Sequence, residues 1–147
     1  MRNMFDSILV VCVGNICRSP TGERLLQQLL PDKDVSSAGL AALVGKAADK
    51  KSIFVADING LSLNGHKARQ LTRELCRQYS LILVMERKHI DAVARLVPEV
   101  RGKTMLFGHW LGEREIPDPY GKSQEAFDFV YNLLAESARK WSQVLNK

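Results

Sequence analysis

The sequence predicts an α/β fold in one domain over residues 1–147, with a parallel sheet covered by helices on both faces. Two short apolar runs, at residues 8–11 and 81–85, are continuous rather than alternating, which is typical of strands buried on both faces. Segments with the apolar spacing of helices separate the strand-like runs, as in other parallel α/β proteins. A chain of 147 residues is long enough to bury a sizeable core.

The first half of the chain is predicted to hold two strands and two helices. The first strand covers residues 7–13, and a helix over residues 21–30 follows it. Residues 34–38 read as a short strand with a weak apolar pattern. Helical spacing of apolar residues then predicts a helix over 48–59, and this helix ends at Gly60, a residue common after helix ends.

The second half continues the alternation and ends in a long helix. The predicted elements are a helix at 70–79, a strand at 80–86, a helix at 88–97, a strand at 103–107 and a helix at 123–145. Pro98 stops the helix that precedes it, because proline cannot continue a helical hydrogen-bond ladder. The last helix is amphipathic. Its apolar face is formed by Phe127, Val130, Tyr131, Leu134, Ala138, Trp141 and Leu145.

Composition and charge exclude several classes of protein. Hydrophobic residues make up 46% of the chain and charged residues 25%, which is ordinary for a globular protein. No apolar run approaches the ~20 residues of a membrane span, and no signal peptide begins the chain, so we expect a cytoplasmic protein without membrane insertion. The net charge is +5, but basic residues are dispersed among acidic ones, which argues against nucleic-acid binding. Three cysteines without a Cys-x-x-Cys pair do not indicate a disulfide framework or a zinc site.

The most informative segment is Val-Cys-Val-Gly-Asn-Ile-Cys-Arg-Ser-Pro at residues 11–20. It lies between a buried strand and a helix, so its loop amides, from Val13 through Ile16 and Cys17 to Ser19, can bind an anion at the helix N-terminus. Gly14 permits unusual backbone torsions, and Asn15 tolerates the left-handed conformation. The planar guanidinium of Arg18 can clamp two phosphate oxygens. The pattern therefore predicts a phosphate-binding loop.

The same loop offers a nucleophile in Cys12. Ser19 is predicted to cap the following helix and Pro20 to occupy its first position. The field of that helix and of Arg18 favours the thiolate form of Cys12. A cysteine at a strand end is, by itself, more often a packing residue. The combination Cys-x5-Arg-Ser-Pro on a strand, loop and helix favours catalysis instead.

A general acid is available in Asp118, which lies between two prolines. The flanking prolines make this loop stiff and non-helical, a geometry that can hold a carboxyl group at the rim of a pocket. An Asp-Pro pair is also common in ordinary turns, and this alternative remains open on the local sequence alone.

At this point the sequence resembles the low-molecular-weight protein tyrosine phosphatases, over nearly the whole chain. The matching segments are residues 11–20, 36–39, 65–69, 118–120 and the final helix. The match is closer to the bacterial branch associated with tyrosine autokinases of capsule and exopolysaccharide export, in which residues 101–110 also look familiar. The resemblance implies four parallel strands in the order 2-1-3-4.

The resemblance also implies a metal-free and cofactor-free hydrolysis of phosphotyrosine through a cysteinyl-phosphate. Cys12 would be the nucleophile, Arg18 would bind the phosphoryl oxygens and Asp118 would act first as acid and then as base. The hydrogen-bond network that supports the loop in this family matches Asn15, Ser19, Ser37 and His66. The remaining histidines, His89 and His109, lack a match and are interpreted as structural or exposed.

Substrate selection and redox control are further expectations. Leu40 and Tyr120 are predicted to line the substrate pocket, and residues 40–43 are aliphatic where eukaryotic members carry an aromatic residue. The expected substrate is a phosphotyrosine protein, a tyrosine autokinase. Cys17, five residues after Cys12, is either a packing residue or a partner that traps an oxidised Cys12 as a disulfide. Cys76 is interpreted as a core residue.

Two other functions fit parts of the sequence. An arsenate reductase on the same fold would share the loop but needs further redox cysteines downstream, where only Cys76 is available. A non-catalytic phosphotyrosine-binding module would require loss of Cys12, Arg18 or Asp118, and all three are present.

Overall fold

A computed structural model describes residues 5–146. Four strands form one parallel sheet, in which β1 (Ser7–Cys12) lies between β2 (Asp34–Gly39) and β3 (Leu81–Val84), and β4 (Thr104–Leu106) lies outside β3. The order β2-β1-β3-β4 confirms the predicted fold class and strand order.

Five α-helices and one 3₁₀ helix connect and cover these strands in the described part of the chain. The α-helices α1 to α5 span, in order, Arg18–Leu29, Lys50–Ile58, Arg73–Gln78, Arg87–Leu96 and Gln124–Leu145. The 3₁₀ helix at Pro98–Lys103 was not predicted; Pro98 stands in its first turn, where a missing N–H costs nothing. Ser123 caps α5 by accepting a hydrogen bond from the Ala126 N–H.

The core lies on both faces of the sheet because successive strand residues point to opposite sides. Ile8 and Val10 of β1 belong to the cluster that packs with α1 and α5, whereas Leu9 and Val11 belong to the cluster on the other face. The predicted apolar face of α5 is buried in the first cluster, except for Phe127, which packs with Ile16 and Cys17. In the first cluster the Trp141 indole donates a hydrogen bond to the Phe107 carbonyl.

Three predicted boundaries were wrong, for identifiable reasons. The helix α3 starts at Arg73 rather than at residue 70, because Gln70 and Leu71 pair with the end of β2 at Gly39. The strand β3 stops at Val84, and Glu86 caps the next helix instead of continuing the strand. The helix α1 starts at Arg18, earlier than predicted. The remaining ends lie within two residues of the prediction.

No helix among residues 5–146 is long and apolar enough to cross a membrane.

Candidate active site

The loop between β1 and α1 is built as an anion cradle. The backbone carbonyls of residues 13–17 all accept hydrogen bonds, from Ala41, Leu43, His66, Asp49 and Thr21, respectively. In contrast, the N–H groups of residues 14–17 donate to no other residue in the described part of the chain. With its carbonyls held outward, the loop has its amides available for an anion at the start of α1.

Cys12 lies at the carboxyl end of β1, directly below this loop. Its Sγ is 2.9 Å from the Ser19 Oγ, which also accepts a hydrogen bond from the Asn15 side chain at 2.8 Å. Because Asn15 donates to that oxygen, the Ser19 proton is available for a hydrogen bond to the sulfur. The predicted capping role of Ser19 was wrong: the N-cap of α1 is Cys17, two residues earlier, so that Pro20 is the third residue of the helix and not its first.

Asn15 holds the loop in shape. Its φ of 59° is left-handed, as its type allowed, and the buried side chain accepts from the Arg69 N–H at 2.9 Å and donates to Ser37 at 3.0 Å. The expectation for Gly14 was wrong, because its φ is not positive and a Cβ there would meet only ordinary contacts. The strained position is one residue later.

The structure brings Ser37 and His66 to the rear of Asn15. The Ser37 hydroxyl donates to the Glu23 carboxylate at 2.7 Å, and the His66 Nε2 donates to the Asn15 carbonyl at 2.6 Å. Sequence reasoning missed Glu23, although it lies one helical turn after Ser19 and therefore on the same face of α1. The four residues of the expected supporting network are thus connected through Asn15.

Arg18 is almost fully buried, so its charge needs partners. Its Nη1 donates to the Glu86 carboxylate at 2.7 Å and to the Ile116 carbonyl at 2.8 Å, and its Nη2 lies 3.7 Å from the Asp118 carboxylate. Burial alone would raise the pKa of Glu86, but the hydrogen bond and charge of Arg18 outweigh it and lower that pKa below its ordinary value.

Glu86 was missed as a site residue, yet a signal for it existed. It follows β3, which neighbours β1, and the carboxyl ends of parallel strands meet at one edge of the sheet. The rule that located Cys12 therefore locates Glu86 as well.

His89 is buried beside the ion pair of Arg18 and Glu86. On sequence grounds it is interpreted as structural or exposed, and the structure agrees with the structural role. Its Nδ1 accepts the Glu86 N–H at 3.2 Å, and its buried Nε2 has no hydrogen-bond partner in the described structure and lies 3.6 Å from the Glu86 carboxylate. Burial first, and then the charge of Arg18, lower the pKa of His89. His109, the other unmatched histidine, is partly buried and packs edge-on against Trp110.

A cavity of about 210 Å³ opens above Cys12. Its floor is the phosphate loop and Arg18, and Asp118 and Tyr120 stand at its rim, where the Asp118 side chain is half-exposed. The prediction for Leu40 was wrong, because Leu40 packs against the core on the far face of the sheet. Ala41 and Leu43 supply the aliphatic wall instead, since both are hydrogen-bonded through their backbones to the phosphate loop.

The two other cysteines differ in position. Cys17 lines the same cavity, where burial, with the negative charge of Asp49, raises the pKa of its thiol well above the ordinary range. Cys76 is completely buried in the cluster on the far face of the sheet. Among residues 5–146, no three histidine, cysteine or acidic side chains converge on a point where they could hold a metal ion.

The family model for low molecular weight phosphotyrosine protein phosphatases matches residues 7–147. The chain belongs to this family. Over 143 residues it is 63% identical to the low molecular weight protein-tyrosine-phosphatase Wzb of Escherichia coli K12, covering 97% of each chain. The enzyme class expected from the sequence, a phosphoric monoester hydrolase of the protein-tyrosine-phosphatase type, is therefore confirmed.

Solved structures of family members share the fold. The tyrosine phosphatase AmsI of Erwinia amylovora is 57% identical and superposes with a TM-score of 0.95, covering 97% of this chain and 95% of that one. Wzb of Vibrio vulnificus, in complex with benzylphosphonate, is 56% identical with a TM-score of 0.94, covering 96% of this phosphatase and 99% of the relative.

Proposed function

We propose that residues 1–147 form one phosphatase domain that hydrolyses phosphotyrosine through a cysteinyl-phosphate at Cys12. The observation that carries this proposal is the position of the Cys12 sulfur, which lies at the floor of a cavity lined by free loop amides and by Arg18. A phosphoryl group bound by those amides sits directly above a nucleophile whose sulfur is within hydrogen-bond distance of the Ser19 hydroxyl.

In the first step, the Cys12 thiolate attacks phosphorus, and the bond between phosphorus and the tyrosine oxygen breaks. The electron pair leaves with the phenolate, and the protonated Asp118 at the rim transfers its proton to that oxygen. Arg18 and the loop amides stabilise the charge on the equatorial oxygens. The burial of Arg18 strengthens this interaction because water screens it little.

In the second step, Asp118, now a carboxylate, takes a proton from water as the water oxygen attacks phosphorus. The bond between sulfur and phosphorus breaks, and the Cys12 thiolate and inorganic phosphate are released. Because the proton donor must carry its proton when the substrate binds, kcat/KM is expected to be lower at alkaline pH than at acidic pH. A rate that still rises at alkaline pH would contradict this assignment.

The cavity walls favour an aromatic ester. Ala41 and Leu43 on one side and Tyr120 on the other leave an apolar slot above the phosphate loop. The Vibrio relative is described with benzylphosphonate, a phosphonate on an aromatic group, and this supports the same choice here. Alkyl phosphates would not fill the slot, so we expect them to be poor substrates.

The covalent mechanism is tested by Cys12→Ser, with Cys76→Ser as the matched control in a buried position away from the site. We expect Cys12→Ser to abolish hydrolysis of an aryl phosphate and of a phosphotyrosyl peptide, while Cys76→Ser retains it. Rapid acid quenching of the wild type, followed by mass spectrometry, should find phosphate on the Cys12 peptide. Normal turnover by Cys12→Ser would end the proposal. If the wild type binds the phosphotyrosyl peptide tightly but does not hydrolyse it, the protein is a non-catalytic phosphotyrosine-binding module instead.

We further propose that the physiological substrate is a tyrosine autokinase that controls capsule or exopolysaccharide production, met in the cytoplasm. The support is the family branch, because Wzb of Escherichia coli and AmsI of Erwinia amylovora are among the similar proteins. The test is to delete the gene and to follow phosphotyrosine on such a kinase. Phosphorylation should rise, and wild-type enzyme but not Cys12→Ser should reverse it. Unchanged phosphorylation would show that this kinase is not the substrate, without contradicting the proposed hydrolysis through a cysteinyl-phosphate.

Cys17 is proposed to protect the nucleophile from irreversible oxidation. Peroxide would oxidise the Cys12 thiolate to a sulfenic acid, and the Cys17 sulfur would then displace water to form a disulfide. Both sulfurs line one cavity, which supports this step. Peptide mapping after peroxide treatment should detect the Cys12–Cys17 linkage, and Cys17→Ser should lose activity irreversibly. Absence of the linkage in the oxidised wild type would refute this role.

A further inference from the structure

A second cavity lies behind the phosphate loop. Its volume is about 280 Å³, and it shares no lining residue with the catalytic cavity. Three elements form its walls: α1, β2 and the segment of residues 65–69. The lining residues are Glu23, Arg24, Ser36, Ser37, Gly65, His66, Lys67 and Arg69.

The charge of this rear cavity favours an anion. Its lining carries three cationic side chains and one carboxylate. That carboxylate, Glu23, is already satisfied, since its two oxygens accept from Ser37 at 2.7 Å and from Arg24 at 2.9 Å. The Lys67 ammonium has no partner among the described residues. Of the Arg69 guanidinium nitrogens, only Nε and Nη2 donate hydrogen bonds there, to the Ser37 carbonyl and the Tyr79 hydroxyl. Positive charge therefore remains available for a ligand.

The size of the cavity favours an organic anion over a single ion. A water molecule occupies about 30 Å³ of liquid, so the space exceeds that of one inorganic ion. It lies just below the ~300–1,000 Å³ of small-molecule sites. Lysine, arginine and the Ser36 hydroxyl are donors that suit the three oxygens of a phosphate group.

The walls of the rear cavity hold the strained residue of the phosphate loop. Ser37 accepts from the Asn15 side chain, His66 donates to the Asn15 carbonyl, and the Arg69 N–H donates to the Asn15 side-chain oxygen. A ligand that bridges Lys67 and Arg69 would restrain the segment that carries two of these contacts. Asn15 in turn positions Ser19, which contacts the Cys12 sulfur.

We propose that the rear cavity is an effector site for a small organic phosphate, coupled to the catalytic cavity through Asn15. A ligand in the rear cavity stabilises the conformation of the phosphate loop that binds ligands in the catalytic cavity, and the reverse also holds. Each ligand therefore increases the affinity for the other. The proposal concerns binding and stands apart from the covalent chemistry at Cys12.

The test uses enzyme whose catalytic cavity is saturated with benzylphosphonate, so that only the rear cavity remains open. Glycerol 3-phosphate is then titrated while the amide NMR signals of Gly65 and Lys67 are followed. We expect saturable shifts in the wild type and in Lys140→Glu, a control that makes the same charge change on the exposed face of α5. Lys67→Glu should weaken binding by about tenfold or more.

Two comparisons decide the class of ligand and the coupling. Glycerol 3-phosphate should bind more tightly than inorganic phosphate or succinate, and about fivefold more tightly with benzylphosphonate present than without it. Shifts that are absent, or that are unaffected by Lys67→Glu, would overturn the site. Succinate binding as well as the phosphate ester would overturn the ligand class, and equal affinity with and without benzylphosphonate would overturn the coupling.

Discussion

The two halves of the catalytic site are held in different ways. Every carbonyl of the phosphate loop, residues 13–17, accepts a hydrogen bond, and Asn15 is buried at its centre. The acid loop, residues 117–122, is mostly exposed. The Asp118 carboxylate accepts one hydrogen bond within this loop, from the Tyr120 N–H, and its other contact is the 3.7 Å ion pair with Arg18. A hydrogen bond between the Lys51 ammonium and the Lys122 carbonyl ties the acid loop to α2.

This difference separates two requirements of the reaction. The charges that develop on the phosphoryl oxygens need donors whose positions are fixed before the reaction starts. The proton donor must adapt to the leaving group of each substrate, and a loop stiffened by two prolines but otherwise exposed can do this. Mutations in the phosphate loop should therefore lower both stability and activity, whereas mutations in the acid loop should lower activity alone.

The largest effect is expected from Asp118→Asn. Loss of the proton donor should lower kcat by about 10²–10⁴-fold, while the free energy of unfolding barely changes because the side chain is half-exposed. The loss should be larger for phenyl phosphate than for p-nitrophenyl phosphate, whose leaving group needs less protonation. Steady-state kinetics with both esters and urea unfolding measure these effects, with exposed Glu136→Gln as the control. Equal losses for the two esters would contradict the acid role.

The next effect is expected in the phosphate loop, from Asn15→Ala. It removes the side-chain bonds to Ser19, Ser37 and Arg69, and it puts alanine, which tolerates the left-handed conformation less well than asparagine, at a φ of 59°. We expect the free energy of unfolding to fall by about 3 kcal/mol. Asn15→Gly loses the same bonds but tolerates the torsion, so its loss should be about 1 kcal/mol smaller.

Urea denaturation of the two Asn15 variants measures this difference, and Asn132→Ala on the exposed face of α5 serves as the control. If the glycine variant is at least as unstable as the alanine variant, the left-handed torsion is not the source of the strain. If both remain as stable as the control, the phosphate loop is not the rigid half of the site.

The fold was more predictable than the details of the site. Continuous apolar runs identified β1 and β3, and helical spacing identified the five helices, because burial on a sheet or a helix face requires those patterns. The strand β2 was predicted from a weaker pattern. The strand order did not follow from these patterns; it came from the family resemblance. The 3₁₀ helix at Pro98–Lys103 was missed because it lacks an apolar period of its own.

In the site, local motifs were found and distant partners were not. Cys12 and Arg18 share one strand, loop and helix, so their proximity could be inferred from spacing alone. Glu86 lies 68 positions from Arg18 in the chain, and its contact exists only because β3 lies beside β1. Leu40 was chosen in place of Leu43 because the sequence does not show which residues of that loop turn toward the cavity.

A smaller effect is expected from Glu86→Gln, which keeps the shape but removes the charge that faces Arg18. The free energy of unfolding should fall by about 1–2 kcal/mol, because a buried guanidinium then lacks its counter-charge. Benzylphosphonate should bind about tenfold more weakly, since Arg18 is less well oriented. The control is Glu99→Gln, which breaks an exposed pair with Arg77 and should leave both quantities unchanged. Unchanged affinity in Glu86→Gln would show that the loop orients Arg18 without this carboxylate.

The smallest effect is a dependence of stability on pH that arises from His89. The folded-state pKa of His89 lies below the ordinary value of 6.5, because burial and the positive charge of Arg18 oppose protonation. The charge of Lys88 lowers this pKa further. The negative charges of Glu86 and Asp118 raise it, but they offset only part of the decrease. The unfolded chain therefore binds more protons as the pH falls through about 6.5, and the free energy of unfolding decreases there. The full contribution is present above that pH.

Urea unfolding at several values between pH 5 and pH 8 measures this slope. His89→Gln should remove part of it, whereas Asn132→Gln, a control on the exposed face of α5, should not. Glu86 acts in a lower window with the same sign: its pKa is held below 4.5, so its stabilisation is complete above that value and is lost as the pH falls further. A slope that is identical in the wild type and in His89→Gln would mean that burial in the rigid half of the site does not hold the pKa of His89 below its ordinary value.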